Sequence, residues 1–296
     1  MFVTAATVLP VHAGAAAFPR FPPVCYSNPF VSARSSAGMP LYSADALILR
    51  TYKLGEADRI VVFLTCDRGK KRGVARGARR PRSKFIGALE PLTQVRVAYF
   101  EKEQRELVSL NYSEPSCSPL SAGSVEVLGC AAYFADLIDE WAPEADSDER
   151  LYRLGVSMVE ALTTGVPPEP LARYFEYWLL RLQGVYPPHL ACRQCGSPLG
   201  EGAVGAYLAA GGHAFTCARC ASEEIVVDGM RSLSPGALEF LRGARSLAPR
   251  QLGDLAAPEQ VLRELESVHR TLIRLHLERE PKSIRVLREV KRTWAS

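Results

Sequence analysis

The sequence predicts an α+β protein of more than one domain: a small closed β-barrel, then a mainly α-helical domain with an inserted cysteine-rich module. Three observations carry this. The chain has 296 residues, enough for about two domains at roughly 100–200 residues each. Short β-branched and aromatic runs fill residues 41–115, and after Pro119 the apolar period lengthens to about 3.6. Two C-x-x-C pairs then interrupt the helical part.

The first 40 residues are rich in Ala, Pro and Ser and contain no acid. Their apolar stretch has no basic residue before it and is broken by Pro10, His12 and Gly14, unlike a secretory leader. They are expected to be a disordered extension or an over-called translation start, with Met39 as the alternative start. From Leu41 the pattern becomes β. Residues 46–52 and 59–65 read as strands joined by a turn at Gly55 to Asp58. Asp67-Arg68-Gly69 is a hairpin turn, and residues 71–78 a third, Gly-rich strand. Residues 81–91 are irregular or a short helix. Two more strands, 94–100 and 105–112, flank a polar turn. Five short strands in this span fit a barrel of OB type, or another five-stranded barrel.

Beyond Pro119, Val127, Leu128, Ala131, Phe134, Ala135 and Ile138 fall on one helical face. Asp146-Ser147-Asp148 caps a second helix that buries Leu151, Leu154, Met158 and Leu162. Leu171, Tyr174, Phe175, Trp178 and Leu182 mark a third, stopped by Gly184 and by Pro187-Pro188. These stripes are read as core. Ser234-Pro235 opens a further helix, and Val261, Leu262, Leu265, Val268 and Leu272 line a last one, with His269 read as structural. A basic tail follows, with Lys282, Arg285, Arg288, Lys291 and Arg292. The helical domain is therefore expected over 120–296, with the cysteine module at 191–222.

Cys192-x-x-Cys195 and Cys217-x-x-Cys220 carry metal chemistry. Two residues between thiols let one tight knuckle aim both sulfurs at one cation. Two knuckles supply the tetrahedral S₄ set that zinc favours. Four thiolates leave no open position for water, so the zinc is structural. His213 is read as a surface residue of the intervening hairpin. Such pairs in a chain of this size suit a reducing cytoplasm better than a disulfide framework.

Net charge is only +4, but residues 41–119 carry 15 basic and 9 acidic side chains. The excess lies in one segment: Arg68, Lys70, Lys71, Arg72, Arg76, Arg79, Arg80, Arg82 and Lys84, nine cations in 17 residues with no acid. Unmixed cations repel one another unless a polyanion neutralises them. No G-x-x-x-x-G-K-[ST] occurs, so a nucleic-acid backbone suits the segment better than a nucleotide. Phe63, Phe85, Tyr99 and Phe100 are aromatics nearby, most of them expected in the core. There is no H-E-x-x-H, G-x-S-x-G or dinucleotide fingerprint, no carboxylate cluster, and no apolar run long enough to span a membrane. No catalysis and no membrane association are expected. The residues alone leave open a zinc-ribbon RNA-binding or regulatory protein using the same basic surface.

Several blocks carry a family likeness. Ala46-Leu47-Ile48-Leu49-Arg50, then Gly55-Glu56-Ala57-Asp58-Arg59-Ile60, then Gly77-Ala78-Arg79-Arg80-Pro81-Arg82-Ser83-Lys84 and Gly87-Ala88-Leu89-Glu90-Pro91 resemble the RecO family of bacterial recombination mediators. Gly184-Val185-Tyr186-Pro187-Pro188 and Pro281-Lys282-Ser283 fit the same pattern. The resemblance spans about 41–292 and implies an N-terminal OB fold, a helical domain and, in many members, a zinc module. It implies binding of single- and double-stranded DNA, strand annealing, and loading of RecA, together with RecR, onto DNA coated by single-strand-binding protein. It also implies contact with that protein's acidic C-terminal tail.

Overall fold

The computed structural model describes residues 40–283, apart from 103–105, 145, 200–201, 203, 224–228, 256 and 282. The expectations for the N-terminal extension and for the basic tail lie outside the described residues.

Strands β1 (Leu41–Leu54), β2 (Asp58–Thr65), β3 (Gly69–Ala75), β4 (Gln94–Phe100) and β5 (Val108–Cys117) close in the order β1-β2-β3-β5-β4. Neighbours are antiparallel except β3 and β5, which run parallel where Gly73, Val74 and Ala75 face Val108, Ser109 and Leu110. This is the OB barrel. At Gly73 an added Cβ would lie 2.1 Å from Leu110 Cδ1, so a larger residue at the seam would have to displace the Leu110 side chain.

The apolar runs of β1 and β2 hardly alternate because both of their faces are covered. Ala46, Ile48, Val61 and Phe63 fill the barrel interior with Val95, Val97 and Tyr99. Leu47, Leu49, Val62 and Leu64 point the other way and join the core of the helical domain. One pair of strands thus serves two cores.

Three strands differ in extent from the sequence expectation. The first is longer at both ends than 46–52, because from Leu41 it pairs with β4 and at Leu54 it still pairs with Asp58. The third strand begins at the turn and stops at Ala75, where the Ala78 amide folds back onto the Ala75 carbonyl. The fifth runs later, because its polar Ser113-Glu114-Pro115 stretch stays paired with β4 as far as Cys117 opposite Gln94.

Helices α1 (Val125–Trp141), α2 (Glu149–Thr163) and α3 (Pro168–Leu182) follow. Ser124 and Asp148 cap the first two, accepting from the Val127 and Leu151 amides. Leu128, expected on the buried face of α1, is 37% exposed; it lies one step around the helix from Val127 and falls off the stripe. The cysteine module contributes β6 (Ala206–Leu208), β7 (Phe215–Cys217) and α4 (Ala218–Glu223), and β8 (Arg231–Leu233) completes a sheet ordered β7-β6-β8. Helices α5 (Pro235–Ser246) and α6 (Glu259–Leu277) close the domain. No helix among the described residues is long and apolar enough to cross a membrane.

A charged knot lies inside this core. Arg173 Nη2 donates to Glu176 Oε1 at 2.9 Å, Tyr133 donates to the same oxygen at 2.8 Å, and His269 Nδ1 lies 3.0 Å from Glu176 Oε2. An ionised carboxylate only accepts, so His269 donates from Nδ1. Burial holds the His269 pKa below the usual histidine value.

Candidate functional site

The nine cations of the basic segment do not share one environment. Lys70 is 7% exposed and points into the joint between the domains. Its Nζ donates to the Asp139 carbonyl at 2.7 Å and lies 3.5 Å from the Asp139 carboxylate and 3.4 Å from Glu144. Arg72 reaches Glu144 at 3.0 Å, and Lys71 reaches Glu101 at 2.7 Å. Arg68 lies over the Tyr42 ring, 4.1 Å from its centroid, and 3.8 Å from Asp67.

The joint is larger than the segment. Arg50 on β1 pairs with Asp136, with Asp139 at 3.2 Å and with Glu140 at 3.8 Å. Asp136 also accepts from the Ser283 amide and hydroxyl, at 3.2 and 2.6 Å, and Arg279 pairs with Glu140. Arg279 and Ser283 therefore meet the same carboxylates that hold the barrel. Sequence reading missed this site, although a signal existed. Asp136, Asp139 and Glu140 share one face of α1, a helix with no basic residue of its own, so their partners had to come from elsewhere.

The remaining cations lie beyond β3, on the connection to β4. Backbone bonds from Arg80 to Gly77, Ser83 to Arg80, Ile86 to Ser83 and Ala88 to Phe85 fold it into successive turns. Its inward residues Phe85, Ala88 and Leu89 belong to the barrel core. Its start is latched to the β1–β2 turn. The Gly77 amide donates to Asp58 Oδ1 at 2.8 Å, the Arg79 amide to the Ala57 carbonyl at 2.9 Å, and Arg79 Nη1 to the carbonyls of Gly55 and Glu56 at 3.0 and 2.9 Å. Gly77 sits at φ +70, a conformation glycine adopts without strain. Two sequence blocks far apart in the chain, Gly55-Glu56-Ala57-Asp58 and Gly77-Ala78-Arg79, are thus one contact.

Arg76, Arg80, Arg82 and Lys84 are exposed, and none of their side chains has a hydrogen-bond or ion-pair partner among the described residues. The connection is a cationic ribbon pinned at both ends. Phe63, Phe85 and Tyr99 are buried in the barrel, so they offer no free ring to a ligand. Tyr52 and Tyr112 are instead the exposed barrel aromatics.

The second feature is the cysteine cluster. The Sγ atoms of Cys192, Cys195, Cys217 and Cys220 all lie within 4.8 Å of one another, with Cys195 and Cys217 3.8 Å apart. Four sulfurs at about 2.3 Å from a tetrahedral zinc would sit about 3.8 Å from each other, so the donor set fits that ion. The first knuckle turns through Gly196, whose amide donates to the Cys192 carbonyl at 2.9 Å. In the second, the Cys220 amide reaches Cys217 Sγ at 3.5 Å. A hydrogen bond from Ser197 holds the Cys195 thiol down at about 5, while the Cys217 sulfur pushes Cys220 up to about 12. A thiol that ionises this readily is a ready metal ligand. Phe215, two residues before Cys217, packs its ring 5.9 Å from Tyr186, which lies 5.5 Å from His269. The module is therefore built into the helical core. His213 is exposed, and His269 is wholly buried.

Comparison with known proteins agrees with both halves. The family model for the N-terminal part of recombination protein O matches residues 39–118, and that for its C-terminal part matches residues 123–285. The chain is 37% identical over 193 residues to the DNA repair protein RecO of Koribacter versatilis, covering 64% of this chain and 77% of that protein. It is 38% identical over 177 residues to that of Anaeromyxobacter sp. strain K, covering 59% and 68%. With that of Heliobacterium modesticaldum it shares 31% over 265 residues, covering 86% and 92%.

Proposed function

The chain belongs to the recombination protein O family, and from that premise we propose that it is a non-catalytic recombination mediator in DNA repair. It binds single- and double-stranded DNA and anneals complementary strands. With RecR it helps load RecA onto DNA coated by single-strand-binding protein, whose acidic tail it also contacts. It acts in the cytoplasm, and its zinc, held by Cys192, Cys195, Cys217 and Cys220, is structural.

The exposed ribbon carries this reading. Arg76, Arg80, Arg82 and Lys84 are cations with no carboxylate paired to them among the described residues, on a backbone held at both ends. Phosphates supply the missing charge, and the counterions they release drive binding. Annealing follows from the same charge. Neutralising two backbones lowers their repulsion, and base pairing selects the partner.

The test mixes the purified protein with complementary labelled strands, without nucleotide, and then adds competitor DNA or RNA. Faster annealing, unaffected by nucleotide and without cleavage, is the expected result. Stronger competition by RNA than by DNA of equal length would favour an RNA-binding protein instead. Cleavage or sealing of the strands would make it an enzyme.

A further inference from the structure

The ribbon presents one large apolar side chain to solvent. Ile86 is 66% exposed, on the same connection as Arg80, Arg82 and Lys84. Its position is enforced. Phe85 before it and Ala88 after it are buried in the barrel, its own amide is tied to the Ser83 carbonyl, and Gly87 at φ +72 turns the chain away. Ile86 therefore cannot retreat into the core that its neighbours enter.

We propose that Ile86 is an apolar contact for unpaired bases and makes the ribbon prefer single strands over duplex. The proposal rests on the nucleic-acid reading above. The four cations favour a polyphosphate as the occupant of this surface. A duplex turns phosphates outward and keeps its base faces stacked inside, so it offers nothing to an isoleucine. A single strand exposes base faces beside its phosphates, and protein groups that cover such faces gain affinity without reading sequence.

The experiment measures binding of a single-stranded oligonucleotide and of the matching duplex across a salt series. Ile86→Ser is expected to weaken single-strand binding by up to about fivefold, the low end of what an aromatic ring stacked on one base contributes. Duplex affinity and both salt slopes stay at wild-type values. Ile86→Trp, which offers a larger face, is expected to restore or raise single-strand affinity. Equal losses on both substrates, or no loss on the single strand, would overturn the proposal. Arg80→Gln with Arg82→Gln serves as the separate control. A reduced salt slope there with an unchanged Ile86→Ser protein sinks the base contact alone. An unchanged slope sinks the nucleic-acid reading beneath it.

Discussion

Arg79 and Arg80 are adjacent in the chain and differ in what already satisfies them. Arg79 Nη1 is shared between the carbonyls of Gly55 and Glu56, whereas the Arg80 guanidinium has no partner among the described residues. A glutamine keeps an amide donor but loses the charge. Arg80→Gln should therefore flatten the salt dependence of single-strand binding by about 0.7 in log–log slope, one phosphate's worth. Arg79→Gln should leave it near wild type; equal changes in both would show that Arg79 also contacts phosphate. His269 gives a second test. Burial lowers its pKa from 6.5, so its contribution to stability is complete above that value and is lost as pH falls through the depressed one. His269→Gln, which cannot titrate, should shrink the fall in melting temperature between about pH 7.5 and pH 5. An unchanged fall would mean that other groups set it.

Among the elements, the cysteine sheet is small but continuous with the core. Ala206, Leu208, Phe215 and Leu233 all join the helical domain's buried cluster. A metal on the four thiols would tie β7 down through its two knuckles, and its removal would free them. A chelator at neutral pH should thus lower the melting temperature of the helical domain by roughly 5–10 °C, with the barrel's strand signal and the salt slope unchanged. A melting curve indifferent to chelation would contradict a structural ion. These knuckles were legible in the sequence because ligand spacing is local. The start of the third strand and the end of the fifth were not, because they depend on cross-barrel partners such as Gln94 opposite Cys117. Leu128 was misplaced for a related reason: it abuts the apolar stripe of α1, and only the packed neighbours decide which side of the edge it takes.

Over the whole molecule, one basic segment does two jobs. Its Lys70 and Arg72, with Arg50, fasten the barrel to Asp136, Asp139 and Glu144; the side chains of its later cations, Arg79 aside, have no hydrogen-bond or ion-pair partner among the described residues. The charge density was visible in the sequence, but the division was not, since Asp139 and Glu144 lie some 70 residues away from Lys70 and Arg72. The central claim is that the free part holds the polyphosphate. The most direct measurement is the slope of log affinity against log salt for single-stranded DNA, with melting temperature recorded alongside. Replacing Arg76, Arg80, Arg82 and Lys84 together by Gln should flatten the slope by up to about 3 and leave the melting temperature unmoved. Lys70→Met should do the reverse, lowering stability by about 2 kcal/mol through the lost charged hydrogen bond to the Asp139 carbonyl while keeping the slope. A steep slope surviving the fourfold replacement, or one collapsing with Lys70 alone, would contradict the account.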